Sequence, residues 1–270
     1  MAKTLGKLEA KLLQKIQAKG RIIFCLKDAL PITRTSYDAT RLLIGNLIKK
    51  GWLIRLKKGT YLTLSLLDEA SILKARYQAA AALTAPYPYY FSHYCALSLQ
   101  SMTTQPVKTI YISTPKRIAG AGKTILNVPL RFIYCPAKKI WGTEEKWIDK
   151  QNKITVSSPE KTILDCLSRP DLCGGISEIA KAIWIKRMEL NYKKLVLYAK
   201  RTNIDAVSKR LGFIIELFEL GNRKIIAELN GKSKSVPLFD PTLAKKGFYS
   251  KLWHLFINSD PEELKQIIRT

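Results

Sequence analysis

The sequence predicts an α+β chain of two domains, on three observations. Three stretches with apolar residues at helical spacing are followed by two β-prone runs within the first 64 residues. Two prolines within three residues, Pro86 and Pro88, then break the chain after an alanine-rich helix. Beyond them, alternating strand-like runs give way to helical periodicity from Pro159 onward. At 270 residues the chain exceeds the roughly 150 that one core usually closes, so residues 1–84 and 85–270 read as separate domains.

The first helix carries Leu5, Leu8, Leu12, Leu13 and Ile16 on one face and lysines 3, 7, 11, 15 and 19 on the wet side, and Lys19-Gly20 ends it. Arg21 through Leu30 reads as a short extended segment and a second helix, terminated by Pro31, which cannot continue the hydrogen-bond ladder. Thr33, Thr35 and Ser36 offer N-cap side chains for a third helix running to about Lys50, where Gly51 stops it. At 100° per residue, Thr40, Leu43, Ile44, Leu47 and Ile48 share its core face, while Arg34, Asp38, Arg41, Gly45 and Lys49 line the opposite arc. Residues 52–56 and 60–64 are β-prone runs joined by the basic turn Lys57-Lys58-Gly59, with glycine where a positive φ is needed.

Three helices and a β-hairpin spell a winged helix-turn-helix. In such a module the third helix enters the DNA major groove and the hairpin turn lies on the backbone. The predicted contacts are Thr33, Arg34, Thr35, Ser36, Tyr37, Arg41 and Lys49 around that helix, with Lys57 and Lys58 at the turn. A winged helix used only for protein docking is the bland alternative, because fold alone does not fix function.

Charge favours nucleic acid. Forty-six Lys and Arg against 21 Asp and Glu leave +25 at pH 7, which points to a polyanionic partner. Residues 1–80 hold 16 basic and 5 acidic side chains, +11, and the remaining 190 hold +14. No stretch reaches the roughly 18 apolar residues of a spanning helix. Lysines interrupt Met1 to Ile22, so no signal-peptide core is expected and the chain reads as cytoplasmic. Cysteines 25, 95, 135, 166 and 173 are odd in number and irregularly spaced, and only His93 and His254 could serve as imidazole ligands. Reduced thiols, no metal and no cofactor are the expectation.

At the end of the first domain the alanine-rich helix from Asp68 to Leu83 precedes the proline break, beyond which the second domain begins. A helix then starts near Phe91 with Ser92 as its cap, and strands are expected at Thr109 to Ser113, Leu130 to Cys135 and Lys153 to Val156. Helices follow through Leu167, Ile176 to Trp184, Tyr192 to Arg201 and Asp205 to Leu220. Within this part, Tyr90-Phe91-Ser92-His93-Tyr94-Cys95-Ala96-Leu97, Thr103-Thr104-Gln105-Pro106 and Tyr111-Ile112-Ser113-Thr114 resemble the AbiEi family of antitoxins and transcriptional regulators. Ser158-Pro159-Glu160-Lys161-Thr162-Ile163-Leu164-Asp165, Arg169-Pro170 and Gly174-Gly175 resemble its central block, and Lys209-Arg210-Leu211-Gly212-Phe213, Leu238-Phe239-Asp240-Pro241, Trp253 and Asn258 its C-terminal blocks. Cys95 and Phe239 are mild departures.

That resemblance implies a winged-helix DNA-binding domain and an antitoxin domain of a type IV toxin-antitoxin system. It implies binding to repeats upstream of its own operon and repression there. The C-terminal domain would counter a nucleotidyltransferase-like toxin without enzymatic turnover and without obligatory contact. Two other readings compete: a winged-helix-guided metal-dependent nuclease, and an inhibitor that sequesters the toxin directly.

For the nuclease, Glu160, Lys161 and Asp165 are the residues to fit, although Pro159-Glu160 also reads as an ordinary helix first turn with proline at N1. His93 beside Ser92 and Cys95 is the general-base candidate, with a buried structural histidine as the alternative. Gly120-Ala121-Gly122-Lys123-Thr124 lacks the glycine spacing of a Walker A loop and reads as a basic loop. Gly174-Gly175 reads as a backbone bend, and tyrosines 87, 89, 90 and 94 as packing groups rather than base-stacking platforms.

Overall fold

A computed structural model describes residues 4–64, 69–118, 123–230 and 233–266. The chain is mixed α+β, and it divides into two compact units: residues 1–88, 118–130 and 147–154 form one, residues 89–117, 131–146 and 155–270 the other. Residues 120–122 of the glycine-rich loop lie outside the described residues.

In the first unit, α1 (Lys7–Ala18) starts at Gly6, whose N–H donates to Glu9 Oε2 at 2.7 Å. Lys50 Nζ bonds the same oxygen at 2.6 Å, and this hydrogen bond holds the buried Glu9 carboxyl below its ordinary pKa. β1 (Ile23–Cys25) leads into α2 (Leu26–Thr33), which contains Pro31 rather than ending before it. Proline forfeits only its own bond to the Lys27 carbonyl, its φ suits a helix, and the turn closes through Arg34 N–H to Leu30 O at 2.9 Å. α3 (Tyr37–Lys49) follows, then β2 (Leu53–Lys57) and β3 (Thr60–Thr63) with Gly59 at φ +73° between them. The three strands pair antiparallel in the order β1-β3-β2. Leu12, Ile16, Phe24, Ala29, Ile44, Leu47 and Leu53 form a core beneath them.

α4 (Glu69–Thr84) completes this unit together with β6 (Thr124–Ile125) and the start of β7. The two-residue turn Leu126-Asn127 has both residues at positive φ, the geometry that suits a twisted hairpin. Arg76 anchors it by donating twice to Leu126 O, at 3.1 and 2.8 Å. Neither residue is glycine, and Asn127, which tolerates the left-handed region, is the one weak signal of this turn in the sequence.

The second unit holds β4 (Tyr90–Phe91), β5 (Ile110–Thr114) and the larger part of β7 (Val128–Tyr134), β8 (Thr143–Trp147) and β9 (Lys153–Ser157), in the order β7-β5-β4-β9-β8. β4 is antiparallel to β5 and parallel to β9. It has two residues, both buried, and is too short for periodicity to reveal. The charged run Thr143-Glu144-Glu145-Lys146-Trp147 forms an edge strand, a place where charge discourages further pairing.

α5 (His93–Leu99) packs with a helical layer of α6 (Pro159–Ser168), α7 (Ile176–Lys186), α8 (Tyr192–Thr202), α9 (Asp205–Leu217) and α10 (Arg223–Leu229). The hairpin β10 (Phe248–Ser250) and β11 (Leu255–Ile257) and the short α11 (Pro261–Gln266) end the described chain. The Gly174-Gly175 bend is present, with φ of +78° and +87°. Gly175 brings no side chain to cap α7, so Asp240 does it from 64 residues away, accepting from Ile176 N at 2.7 Å. Asn258 clamps Asp240 in turn, accepting from its N–H and donating to its C=O. No described helix is long and apolar enough to cross a membrane.

Candidate nucleic-acid interface

The junction between α2 and α3 is built on hydroxyls. Thr40, fully buried on α3, bonds Thr33 Oγ1 at 2.8 Å and Thr35 Oγ1 at 3.0 Å, and Thr33 also donates to Leu30 O at 3.3 Å. Thr33 is therefore turned inward and cannot reach a partner, a correction to its predicted role: the side chain expected at the groove is spent inside the turn. Arg34 adopts a left-handed conformation, φ 53°, which ends α2 and leaves its side chain in solvent. Ser36 caps α3 by accepting from Ala39 N at 3.2 Å. Thr35 and Ser36 are exposed, but both hydroxyls already serve the turn.

The outer face of α3 is open. Tyr37 is 58% and Leu42 68% exposed, and Arg41 and Lys49 are exposed too. Asp38, Arg41, Leu42, Gly45 and Lys49 fall within an arc of about 100° at 3.6 residues per turn. Leu42 was the residue the sequence reading missed; its i+4 spacing from Asp38 was the available signal. A Cβ added at Gly45 would meet nothing within 4 Å, so no packing demands glycine there.

At the hairpin turn the two lysines differ. Lys57 is partly buried and donates to Ala85 O at 2.8 Å, and loss of solvent lowers its pKa; Lys58 is exposed. Among the described residues, Arg34, Arg41, Lys49 and Lys58 make no ion pair. Four unpaired cations thus stand on one helix face, its preceding turn and a hairpin tip.

Two cations of the second unit are used differently. Lys209 is fully buried, bonded to the Ser233 and Ser235 carbonyls at 3.1 and 2.6 Å and paired with Asp205 at 2.7 Å. Arg210 donates to Leu238 O and Leu167 O. These cations fasten the chain to itself.

The residues weighed for nuclease chemistry are not brought together. Glu160 sits in the first turn of α6 and pairs with Lys194 at 2.8 Å. Burial raises its pKa, but the bonds from Lys194 and from the Asn191 N–H outweigh it and leave the carboxyl below its ordinary value. Asp165, five residues on, pairs with Lys161 instead. Among the described residues, no cluster of three or more His, Cys, Asp or Glu could hold a metal ion. His93 is buried, its Nδ1 2.8 Å from Ser92 Oγ.

No protein-family model matches the chain, and no curated protein matches it. Among solved structures the chain is similar to the RV2827C protein from Mycobacterium tuberculosis, with a TM-score of 0.71 and 12% identity over 99% of this chain and 96% of that one. At that identity the likeness concerns the fold alone.

Proposed function

We propose that this chain is a DNA-binding antitoxin of the AbiEi kind that represses its own operon, with α2, α3 and the β2–β3 hairpin acting as a winged helix-turn-helix. The observation that carries the reading is the open arc of α3, flanked by unpaired Arg34, Arg41, Lys49 and Lys58. In the major groove Arg41 would bond guanine edges, and Leu42 would rest against thymine methyl groups. Arg34, Lys49 and Lys58 would hold phosphates. Lys57, already committed to the Ala85 carbonyl, contributes less than Lys58. The AbiEi resemblance supplies the rest of the proposal: repeats upstream of the operon as the target, and a nucleotidyltransferase-like toxin countered without turnover.

Gel shifts with the upstream duplex against a scrambled one test this. Binding should prefer the upstream duplex at about 150 mM salt, and Lys58→Ala should flatten the log-log salt slope by about 0.9. Arg41→Ala should erase about 1–3 kcal/mol of sequence preference. No preference for the upstream duplex rules out the operator reading. Metal-dependent cleavage lost in Glu160→Ala or Asp165→Ala would replace it with the nuclease, and stable co-purification of the toxin with direct sequestration.

Gly45 offers a test with opposite signs. Alanine in an exposed helix interior is favoured over glycine by roughly 0.5–1 kcal/mol, and nothing in the fold opposes it. Gly45→Ala should raise the melting temperature while weakening DNA binding about tenfold, because a methyl group would stand between helix and groove. A more stable variant with unchanged affinity would show that α3 does not approach DNA by this face.

A further inference from the structure

The second unit contains a cavity of about 220 Å³ lined by Tyr90, His93, Trp141, Lys161, Asp165 and Arg201 among others. Lys161 lines it, buried in the first turn of α6 and ion-paired with Asp165 one turn further on. Its Nζ lies 3.4 Å from Tyr90 Oη, and 5.3 and 4.9 Å from the centres of the Tyr90 and Trp141 rings. Arg201 stacks on Trp141 at 4.5 Å. Lys139 and Arg169 also line the space, so four cations converge there, with Asp165 the one lining carboxylate among the described residues. Arg169 is held in place by two bonds to Asp171, at 2.8 and 2.7 Å.

Two features make this more than a structural ion pair. Asp165 gives one carboxylate oxygen to Lys161, while Oδ2 is buried and has no hydrogen-bond partner among the described residues, an arrangement that leaves an acceptor unsatisfied. His93, in the wall, holds a left-handed backbone at φ +56° that a non-glycine residue adopts at a cost of about 1–3 kcal/mol. Such strain persists where surroundings over-determine it; here His93 Nδ1 meets Ser92 Oγ, which also accepts from Ser113 Oγ at 2.8 Å.

We propose that this cavity binds a small phosphate monoester carrying hydroxyl donors, the ribose-phosphate portion of a nucleotide. Arg201, Lys139 and Arg169 take the phosphate through charge-assisted bonds, and the Asp165 carboxylate, turning its unpartnered Oδ2 into the cavity, takes a sugar hydroxyl. The cavity is smaller than the roughly 300–1,000 Å³ of sites for drug-sized ligands, which limits the ligand to sugar and phosphate with any base at the mouth. This site is independent of the DNA-binding reading, since all its lining residues belong to the second unit.

Calorimetric titration of the full chain tests it, with ribose 5-phosphate, inorganic phosphate and ribose as separate probes. Ribose 5-phosphate should bind at least tenfold more tightly than either fragment. The double variant Lys139→Ala, Arg201→Ala should weaken it about tenfold, ~1.4 kcal/mol. Asp165→Asn should bring ribose 5-phosphate down to the affinity of inorganic phosphate; if that variant fails to fold, the rim double variant decides. Equal affinity for ribose 5-phosphate and inorganic phosphate, undiminished binding in the rim variant, or no binding of any probe overturns the proposal. A thymidine dinucleotide with and without a 5′-phosphate, competed by adenosine 5′-monophosphate, then distinguishes a strand end from a free nucleotide as the source of the same group.

Discussion

Gly212→Ala is expected to destabilise the second unit by about 3 kcal/mol, at the upper end of the usual cost of overpacking a core. Gly212 lies inside α9, where any side chain would normally favour the helix. A Cβ there would land within the six-membered ring of Trp253, which is fully buried. Neither group can yield. Trp253 donates its Nε1–H to Glu216 Oε2 at 2.6 Å, one turn along the same helix, so the indole is fixed at both ends. At roughly 2–4 °C per kcal/mol for a chain of this size, the melting temperature should fall by about 6–12 °C, with loss of the near-ultraviolet signal of the buried indole. Combining Gly212→Ala with Trp253→Leu should recover part of the loss, and additive effects in that cycle would mean the two positions do not share this contact.

A pH titration of stability should expose His93. Burial deprives its charged form of water and lowers its pKa from the ordinary 6.5 to about 4. A base whose folded pKa is depressed is neutral in the folded protein and takes up its proton more readily when unfolded. Its contribution is therefore complete above pH 6.5 and is lost as pH falls from 6.5 towards 4. A difference of that size amounts to about 3 kcal/mol once pH reaches the folded value. The carboxylates held below their ordinary values, Glu9, Asp28, Glu160 and Asp205 among them, act in the same direction but only from about pH 4.5 downward, leaving an upper window to His93. Urea melts between pH 7.5 and 4.5 should show stability falling below pH 6.5, and His93→Gln should remove that slope. A flat profile from 6.5 to 5 in the unaltered protein would contradict a neutral, buried His93.

Where side-chain period and turn chemistry act over a few residues, the sequence was readable. The lysine-striped face of α1, Ser36 among the offered caps of α3, Gly59 in the hairpin, and Pro159 in the first turn of α6 each appear close to where spacing put them. The exposed arc of α3 was legible too, except that Leu42 was left off it. Thr33 failed because the same hydroxyl can cap, read a base or join a buried network, and only the position of Thr40 across the turn selects the last. β4 and the Leu126-Asn127 turn failed for a related reason. Each is two residues long and is held by partners far along the chain, Val156 for the strand and Arg76 for the turn.

By itself, then, the sequence determined an α+β chain with a strong positive charge and a cationic helix-and-hairpin segment at its start, because charge and amphipathic period are properties of neighbours in the chain. Tertiary structure alone decided which charges are free. Lys49 and Lys58 stand in solvent, whereas Lys161, Lys209 and Arg210 are turned inward to carboxylates and carbonyls. It also decided that Asp240 caps a helix 64 residues away, and that Lys161, Asp165, His93 and Arg201 line one cavity. A side chain's charge is written in its residue type, but whether water, a carboxylate or a ligand answers it depends on what folding brings alongside.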